Sequence, residues 1–265
     1  MSRCPYVDGV LIDKRLPRWN IVYLIKLRNM LKRFSFEKIF DLQNSSRTKF
    51  YRKFFFKNIV WSSSETSLEE GEKKSDFDKS PVLDRMKIQL EKSGLKTQFT
   101  KNPELKWAIG NILSLVHQYF EGNYILLFPF CSPKHKKKIW PYFQDLIFYL
   151  KKNFENRYNL VVAPGPGEIE MSKKLPGNIV LDNGKPLTIS QLISLIDNAS
   201  YVISNDTGPA HICAHLNKKG LVLFGRHTTP EKVSIETENF KSLRSKSLKD
   251  LRISTVIEHI KKDLN

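Results

Sequence analysis

The chain has 265 residues, of which 40% are hydrophobic, so it can form one large or two small folded domains and is not globally disordered. Its formal net charge of +17 favours an anionic partner such as nucleic acid, acidic lipid or a phosphorylated ligand. No nucleic-acid-binding motif accompanies the charge, and lysine-rich solvated helix faces explain it equally well, so no nucleic acid partner is expected.

The cysteines and the apolar segments bear on the compartment of the protein. Cys4, Cys131 and Cys213 are odd in number and far apart, which indicates no disulfide framework and fits a reducing cytoplasm. We expect no signal peptide between Met1 and Asp13, and no apolar run approaches the roughly 18 residues that a membrane-spanning helix needs. The sequence therefore predicts a cytoplasmic protein.

The first 120 residues predict part of an α/β domain. In chain order the patterns predict a strand at Gly9–Ile12, a helix from Ile21 to Phe34, strands at Lys38–Gln43 and Asn58–Trp61, a flexible polar loop at about 62–80, and helices at about 81–93 and 104–120. These strands are too few for a complete domain. We therefore expect an incomplete domain over residues 1–121.

From residue 122 onward, apolar runs alternate regularly with helical patterns. Strands are predicted at Ile125–Phe128, Leu160–Ala163, Ile179–Leu181, Tyr201–Ser204 and Leu221–Phe224, and helices at about 140–153, 168–174, 188–198 and 209–217. Strands that alternate with helices indicate a doubly wound α/β fold with a parallel sheet. Ligands of such sheets bind beyond the carboxyl ends of the strands.

The segment from Asp206 to His211 follows a predicted strand and begins a predicted helix. Pro209 suits the first helical position, which makes Gly208 the expected N-cap, and this cap has no side chain to occupy the amides behind it. Open amides at the positive end of a helix form an anion site. Asp206, Thr207 and His211 add an acceptor, a hydroxyl and an imidazole, so we interpret the segment as one wall of a nucleotide-sugar pocket.

Two earlier loops carry weaker signals. The loop after the first strand of this half contains four lysines, ending at Lys138, which could neutralise a diphosphate or simply form a solvated loop. The next loop, at 164–168, has two glycines and then Glu168, a carboxylate that could accept ribose hydroxyls or simply favour a helix N-terminus. His211 and His215 lie four residues apart, but no HExxH pattern accompanies them, so no metal site is predicted.

Together these segments resemble the heptosyltransferase-like proteins of glycosyltransferase family nine. The resemblance rests on Lys138-Ile-Trp140-Pro141, on Glu168 after a glycine-rich turn, on Asp206-Thr-Gly-Pro-Ala-His211 before a strand ending Leu-Phe224-Gly225, and on Phe40-Asp41-Leu42-Gln43 in the first half. It covers nearly the whole chain and is strongest over residues 125–230.

The resemblance implies a GT-B architecture of two Rossmann-like domains, an acceptor-side domain at 1–121 and a nucleotide-sugar donor domain at 122–265. It implies inverting, metal-independent transfer of a heptose from an ADP-sugar donor to a lipopolysaccharide core or related lipid-linked glycan acceptor, with no further cofactor. The positive charge also predicts peripheral contact with the anionic inner membrane, where such an acceptor lies.

The resemblance also implies roles for individual residues. Lys138 would meet the diphosphate or the sugar, Glu168 the ribose, and Leu187 the adenine. Asp206 would hold sugar hydroxyls. The remaining three residues, Thr207, Gly208 and His211, would line the phosphates.

The N-terminus departs from the family pattern. Members of the family normally open with a strand and a Gly-Asp turn, whose aspartate is the proposed general base, and no Gly-Asp pair occurs near the start of this chain. The loop Gly225–Pro230 also differs from the usual Gly-x-Thr arrangement. We therefore expect the chain to start after that turn, and no catalytic residue is assigned.

These departures leave two alternatives open. One is a non-catalytic, truncated nucleotide-sugar-binding relic, which would bind ADP without transferring sugar. The other is a basic nucleic-acid binder, which rests on charge alone and would show salt-sensitive binding to DNA or RNA.

Overall fold

The computed structural model describes residues 4–100 and 103–264. The chain divides into two compact units, Met1–Lys101 and Asn102–Asn265.

The described part of the first unit contains a two-stranded parallel sheet and four α-helices. In chain order they are α1 (Ile21–Leu31), β1 (Lys38–Phe40), α2 (Ser46–Phe54), β2 (Val60–Ser62), α3 (Lys74–Phe77) and α4 (Val82–Glu91), with a 3-10 turn at Glu65–Ser67. Ile39 of β1 lies opposite Trp61 of β2. The buried centre of this unit consists of Leu24 and Leu27 from α1 with Phe55 and Phe56 after α2.

The strand predicted at Gly9–Ile12 does not form. The structure gives this segment no strand hydrogen bonding, and its apolar side chains are exposed, Ile12 by 77%. An apolar run becomes a strand only when a neighbouring strand accepts its backbone hydrogen bonds, and β1 and β2 pair only with each other among the described residues.

Asp13 ties this N-terminal segment to the helices by its side chain. Its carboxylate accepts hydrogen bonds from Arg47 Nε at 2.9 Å, from the Tyr51 hydroxyl at 2.6 Å and from the Tyr23 hydroxyl. Burial alone would raise the pKa of Asp13, but these bonds and the backbone N–H of Arg15 hold that pKa well below its usual range.

The second unit contains a six-stranded sheet with helices on both faces. In chain order its elements are α5 (Leu113–Val116), β3 (Tyr124–Phe128), α6 (Phe143–Phe154), β4 (Asn159–Val162), α7 (Ile169–Ser172), β5 (Asn178–Ile179), α8 (Ile189–Asn198), β6 (Tyr201–Asn205), α9 (Gly208–His215), β7 (Gly220–Phe224), α10 (Pro230–Val233), β8 (Phe240–Arg244) and α11 (Ile253–Leu264).

The long helix predicted at 104–120 is broken. Only a 3-10 turn at Lys106–Ala108 and the single turn α5 are helical there. The backbone N–H of Gly110 donates to the Ser194 hydroxyl at 2.8 Å rather than to a carbonyl of its own segment, so the helix does not continue through this point.

All strand pairs of the six-stranded sheet are parallel, and the strand order is β5-β4-β3-β6-β7-β8. The chain order of these strands across the sheet is 3-2-1-4-5-6, which is the order of the doubly wound dinucleotide-binding fold. The order reverses between β3 and β6, where Ile125 lies opposite Tyr201. The crevice beyond the carboxyl ends of these two strands is where such sheets bind ligands.

The core of the second unit lies on both faces of the sheet. Every residue of β3, β6 and β7 is buried, because continuous apolar runs fit strands that are covered on both sides. Leu146 of α6 and Val256 of α11 are buried in one cluster, and Leu195 of α8 and Cys213 of α9 are buried in the other. The predicted α/β fold with parallel sheets is thereby confirmed. Among the described residues, no helix combines the length and the apolarity that crossing a membrane requires.

Candidate functional site

The strand β6 delivers the central residues of the site. Asp206 follows its last residue, and α9 begins two residues later at Gly208. Thr207, in extended conformation, is the N-cap, one residue earlier than the sequence predicts, and Pro209 falls second in the helix. The Thr207 hydroxyl bonds to the Asn205 carbonyl at 3.3 Å and does not cap the helix. No side chain therefore caps the first turn of α9, as the sequence predicts.

Asp206 is the electrostatic centre of the site. Its side chain is only 2% exposed, and Oδ2 receives Lys138 Nζ at 2.6 Å and His227 Nε2 at 3.0 Å. His211 Nε2 lies 3.9 Å from Oδ1. A buried carboxylate is costly unless it is paired, and here Lys138 supplies the opposite charge while the His227 imidazole lies at hydrogen-bond distance.

His227 is not among the site residues predicted from the sequence. It lies in the loop after β7, which pairs with β6 and so ends at the same edge of the sheet as Asp206. The signal that could have found it is the position of a histidine directly after a strand that neighbours the Asp206 strand.

The buried side chain of Asn205 holds the lysine-bearing loop beside Asp206. Its amide nitrogen donates to the Pro129 carbonyl at 2.8 Å, and its oxygen accepts from the Trp140 backbone N–H at 3.0 Å. Trp140 is itself 1% exposed, and its indole N–H donates to the Leu251 carbonyl at 2.9 Å. These bonds fix both ends of the loop that carries Lys138.

Glu168 shapes the next loop. Its Oε2 accepts the backbone N–H of Gly165 at 2.7 Å, so the carboxylate folds back over the turn that precedes α7. One carboxylate oxygen is thereby committed to the loop, and the other makes no hydrogen bond within the described chain.

These loops surround a cleft of about 270 Å³ at the switch point of the sheet. Four of the seven residues predicted for the donor site line it: Glu168, Leu187, Thr207 and Gly208. The other three, Lys138, Asp206 and His211, meet at the Asp206 carboxylate, and Asp206 directly precedes the cleft residue Thr207 in the chain. The rest of the cleft wall is largely apolar and includes Phe128, Ala163, Ile189 and Leu192.

Burial changes the pKa of His211, the histidine in the first turn of α9. Burial lowers the pKa of His211 below its usual value; Asp206 opposes this shift and Lys138 adds to it. His211 is therefore neutral near pH 7. An anion bound at the start of α9 would favour its protonated form.

The arrangement as a whole fits an anionic ligand with an apolar end. The open first turn of α9 and Lys138 provide positive potential, and the apolar side chains of the cleft wall offer contacts for a base.

Comparison with known proteins identifies the family of the chain. The model of glycosyltransferase family 9 (heptosyltransferase) matches residues 25–259. No curated protein matches the chain.

Solved structures share the fold at low sequence identity. E. coli heptosyltransferase WaaC with ADP is 16% identical with a TM-score of 0.65, over 94% of this chain and 80% of that one. E. coli ADP-heptose lps heptosyltransferase II is 16% identical with a TM-score of 0.63, over 90% and 80%. A family 9 glycosyl transferase from Veillonella parvula is 16% identical with a TM-score of 0.64, over 96% and 74%.

The family model matches most of the chain, and the parallel α/β fold, with its cleft at the switch point, is heptosyltransferase-like. The chain therefore belongs to glycosyltransferase family 9, with a fold of the GT-B class, and is a glycosyltransferase.

Proposed function

We propose that the chain transfers a heptose-type sugar from an ADP-sugar to a lipopolysaccharide core or related glycan acceptor, with inversion and without a metal ion. The observation that carries this proposal is the uncapped start of α9 beside the Lys138–Asp206 pair, at the point where the sheet order reverses. Membership of family 9 supports sugar transfer. The solved relatives with ADP and with ADP-2-deoxy-2-fluoro heptose support the nucleotide.

The cleft suggests how the nucleoside end of the donor lies. Leu187 and its apolar neighbours form the wall against which adenine packs, and the second oxygen of Glu168 accepts ribose hydroxyls. A carboxylate is the usual partner of ribose hydroxyls in folds of this kind. The diphosphate then reaches the start of α9.

The phosphate end is the reactive end of the donor. Thr207, Gly208 and His211 line the phosphates, Lys138 contacts the diphosphate or the sugar, and Asp206 accepts sugar hydroxyls. Lys138 also neutralises Asp206, so the carboxylate does not repel the incoming diphosphate.

Charge development explains why these groups favour transfer. An acceptor hydroxyl attacks the anomeric carbon from the face opposite the diphosphate, and the carbon–oxygen bond to the diphosphate breaks. The departing ADP keeps the electron pair, and the hydroxyl proton passes to a base. Fixed helix amides and a lysine stabilise the charge that grows on the diphosphate, which is the largest contribution that such sites make to catalysis.

The proposal for the acceptor is supported by the net charge of the chain and by its exposed apolar side chains. We assign the acceptor to the first unit and take it to be lipid-linked, with the protein in the cytoplasm and in peripheral contact with the inner membrane. The net charge of +17 supports this contact, and so does a set of exposed apolar side chains around α1.

Calorimetric titration with ADP, with UDP as the control nucleotide, tests the donor site. We expect selective ADP binding that weakens about tenfold or more in Lys138→Ala, because a hydrogen bond to a charged group contributes roughly 1.5–3 kcal/mol. Asp206→Ala should weaken it too, because Lys138 then loses the partner that positions it. Lys136→Ala is the matched control, because Lys136 lies in the same loop but is exposed.

Failure to bind ADP, or equal binding of ADP and UDP, contradicts the proposed donor. A second assay measures release of ADP from ADP-heptose in the presence of a core acceptor. Tight ADP binding with no transfer to any core acceptor would favour the nucleotide-sugar-binding module over the enzyme.

A further inference from the structure

The imidazole of His227 is held in one orientation by its neighbours. His227 lies between β7 and α10, in the loop where the sequence departs from the family pattern, and its side chain is 16% exposed. The ring stacks on Phe224, the last residue of β7, with the ring centroids 6.2 Å apart and the planes inclined by 16°. A Cβ at Gly225 would lie 3.3 Å from Nδ1, so the glycine leaves the space into which the ring folds back.

The other ring nitrogen of His227 faces Asp206. Nε2 lies 3.0 Å from Oδ2 of that carboxylate, whose side chain is only 2% exposed. Asp206 is paired with Lys138, and an ionised carboxylate only accepts hydrogen bonds. Nε2 of His227 therefore carries a proton and donates the bond.

Lys138 and His227 both bond to the same oxygen of Asp206. Lys138 Nζ lies 2.6 Å from Oδ2. The other oxygen, Oδ1, accepts no hydrogen bond from any residue that the structure describes, and His211 Nε2 lies 3.9 Å from it, beyond hydrogen-bond distance. A rotation of the carboxylate would break both bonds to Oδ2, so Oδ1 is held at a fixed position and is free to accept a hydrogen bond from a ligand.

We propose that His227 is a positioning residue for the transferred sugar. It holds Asp206 so that Oδ1 accepts a hydroxyl of the donor sugar, and it does not contact the donor itself. This inference rests on the proposed function, which places Asp206 against the sugar hydroxyls. Lys138 fixes the carboxylate less firmly, because a lysine has a flexible stem and this one is also proposed to contact the diphosphate. The imidazole therefore supplies the rigid half of the support.

Calorimetric titration with ADP and with ADP-2-deoxy-2-fluoro heptose tests the proposal, because only the second ligand carries a sugar. The sugar preference is the ratio of the Kd for ADP to the Kd for the analogue. His227→Gln keeps an amide N–H that can reach the position of Nε2 but removes the ring. His227→Phe keeps a ring that can stack on Phe224 but removes the donor.

The two variants should therefore behave differently. We expect His227→Phe to lower the sugar preference about tenfold and His227→Gln to lower it less than about threefold, because a hydrogen bond to a charged group is lost only in the first. Loss in His227→Gln with retention in His227→Phe would show that the ring only packs, and would overturn the proposal. Equal weakening of both ligands in His227→Phe would overturn it as well.

The same substitution in an Asp206→Ala background tests whether His227 acts through Asp206. If it does, His227→Phe should change the sugar preference less than about twofold once the carboxylate is gone. A tenfold loss in that background too would show that His227 contacts the sugar directly, which contradicts a positioning role. Thr228→Ala is the matched control, because Thr228 is the next residue of the loop and does not bond to Asp206.

The wild-type chain distinguishes this inference from the proposed function. A wild-type chain that binds neither ligand overturns the proposed function, and this inference with it. A wild-type chain that binds both ligands, with a sugar preference that His227→Phe leaves unchanged, overturns this inference alone.

Discussion

At the scale of single residues, Asp206 shows what sequence could and could not predict. The resemblance placed Lys138, Asp206 and His211 in one site, and the structure brings Lys138 Nζ to 2.6 Å and His211 Nε2 to 3.9 Å from the Asp206 carboxylate. His227 was not predicted, because it comes 21 residues after Asp206. The pairing of β6 with β7 places it beside Asp206, and local sequence spacing does not reveal which strands pair.

His227 gives a prediction that separates sugar binding from nucleotide binding. In His227→Ala, Asp206 loses the imidazole at 3.0 Å but keeps Lys138. We expect affinity for ADP-2-deoxy-2-fluoro heptose to fall about tenfold and affinity for ADP to change less than about twofold, because Asp206 is proposed to hold sugar hydroxyls. Calorimetric titration with both ligands measures the difference. Equal weakening of the two ligands would place His227 against the diphosphate instead.

At the scale of elements, the second unit was predictable because its strands are buried on both sides. Continuous apolar runs marked β3, β4, β6 and β7, and helical patterns separated them. The edge strand β8 was not predicted, because only Phe240 in its sequence Phe-Lys-Ser-Leu-Arg is buried. No prediction was made for α11 either, although its buried residues Val256, Ile260 and Leu264 follow helical spacing.

The first unit was predicted less well for a physical reason. Its sheet has only two strands of three residues each in the described chain, so tertiary contacts decide which apolar runs become strands. The run at Gly9–Ile12 has the composition of a strand but no pairing partner. Asp13 and its hydrogen bonds to Tyr23 of α1 and to Arg47 and Tyr51 of α2 instead determine where that segment lies.

Gly220 gives a prediction for the central sheet. A Cβ at this position would lie 2.3 Å from the Val202 carbonyl oxygen and 3.0 Å from the Phe240 ring. Gly220→Ala should therefore lower the free energy of unfolding by about 1–3 kcal/mol, because the overpacked strands must separate. Urea unfolding followed by circular dichroism measures the change.

Gly208 provides the matched control in the same unit. A Cβ there meets nothing within 4 Å, so Gly208→Ala should leave the urea midpoint nearly unchanged. A midpoint that falls equally in both variants would show that loss of glycine itself, and not the close approach of β6 to β7, controls stability.

At the scale of the whole molecule, charge and exposed apolar surface occur together in the first unit. Residues 5–34 contain seven Lys or Arg and two Asp, a net charge of +5. Trp19 is 80% exposed, and Ile21, Val22 and Ile25 of α1 are all more than half exposed. Apolar side chains among cations are typical of surfaces that lie on anionic membranes.

Vesicle sedimentation tests this membrane contact. We expect the protein to sediment with vesicles that contain anionic lipid and to stay in solution with neutral vesicles. About 0.5 M salt should release it from the anionic vesicles, because salt screens the attraction between its cations and the lipid charges. Ile21→Ser with Val22→Ser should reduce sedimentation, whereas Phe148→Ser in the second unit, also exposed, should not. Equal sedimentation with neutral and anionic vesicles contradicts the contact.

The amide of Asn205 has one more consequence, for how the site can vary. Because the Asn205 side chain bonds to both Pro129 and Trp140, the ten residues between them form a loop whose two ends are held together. Insertions or deletions in the middle of that loop therefore change the side chains that face a ligand without shifting the strands on either side. Aspartate could not donate the first bond and leucine could make neither. A single buried asparagine thus fixes both ends of the lysine-bearing loop, so that the sequence between those ends can vary while the strands stay in place.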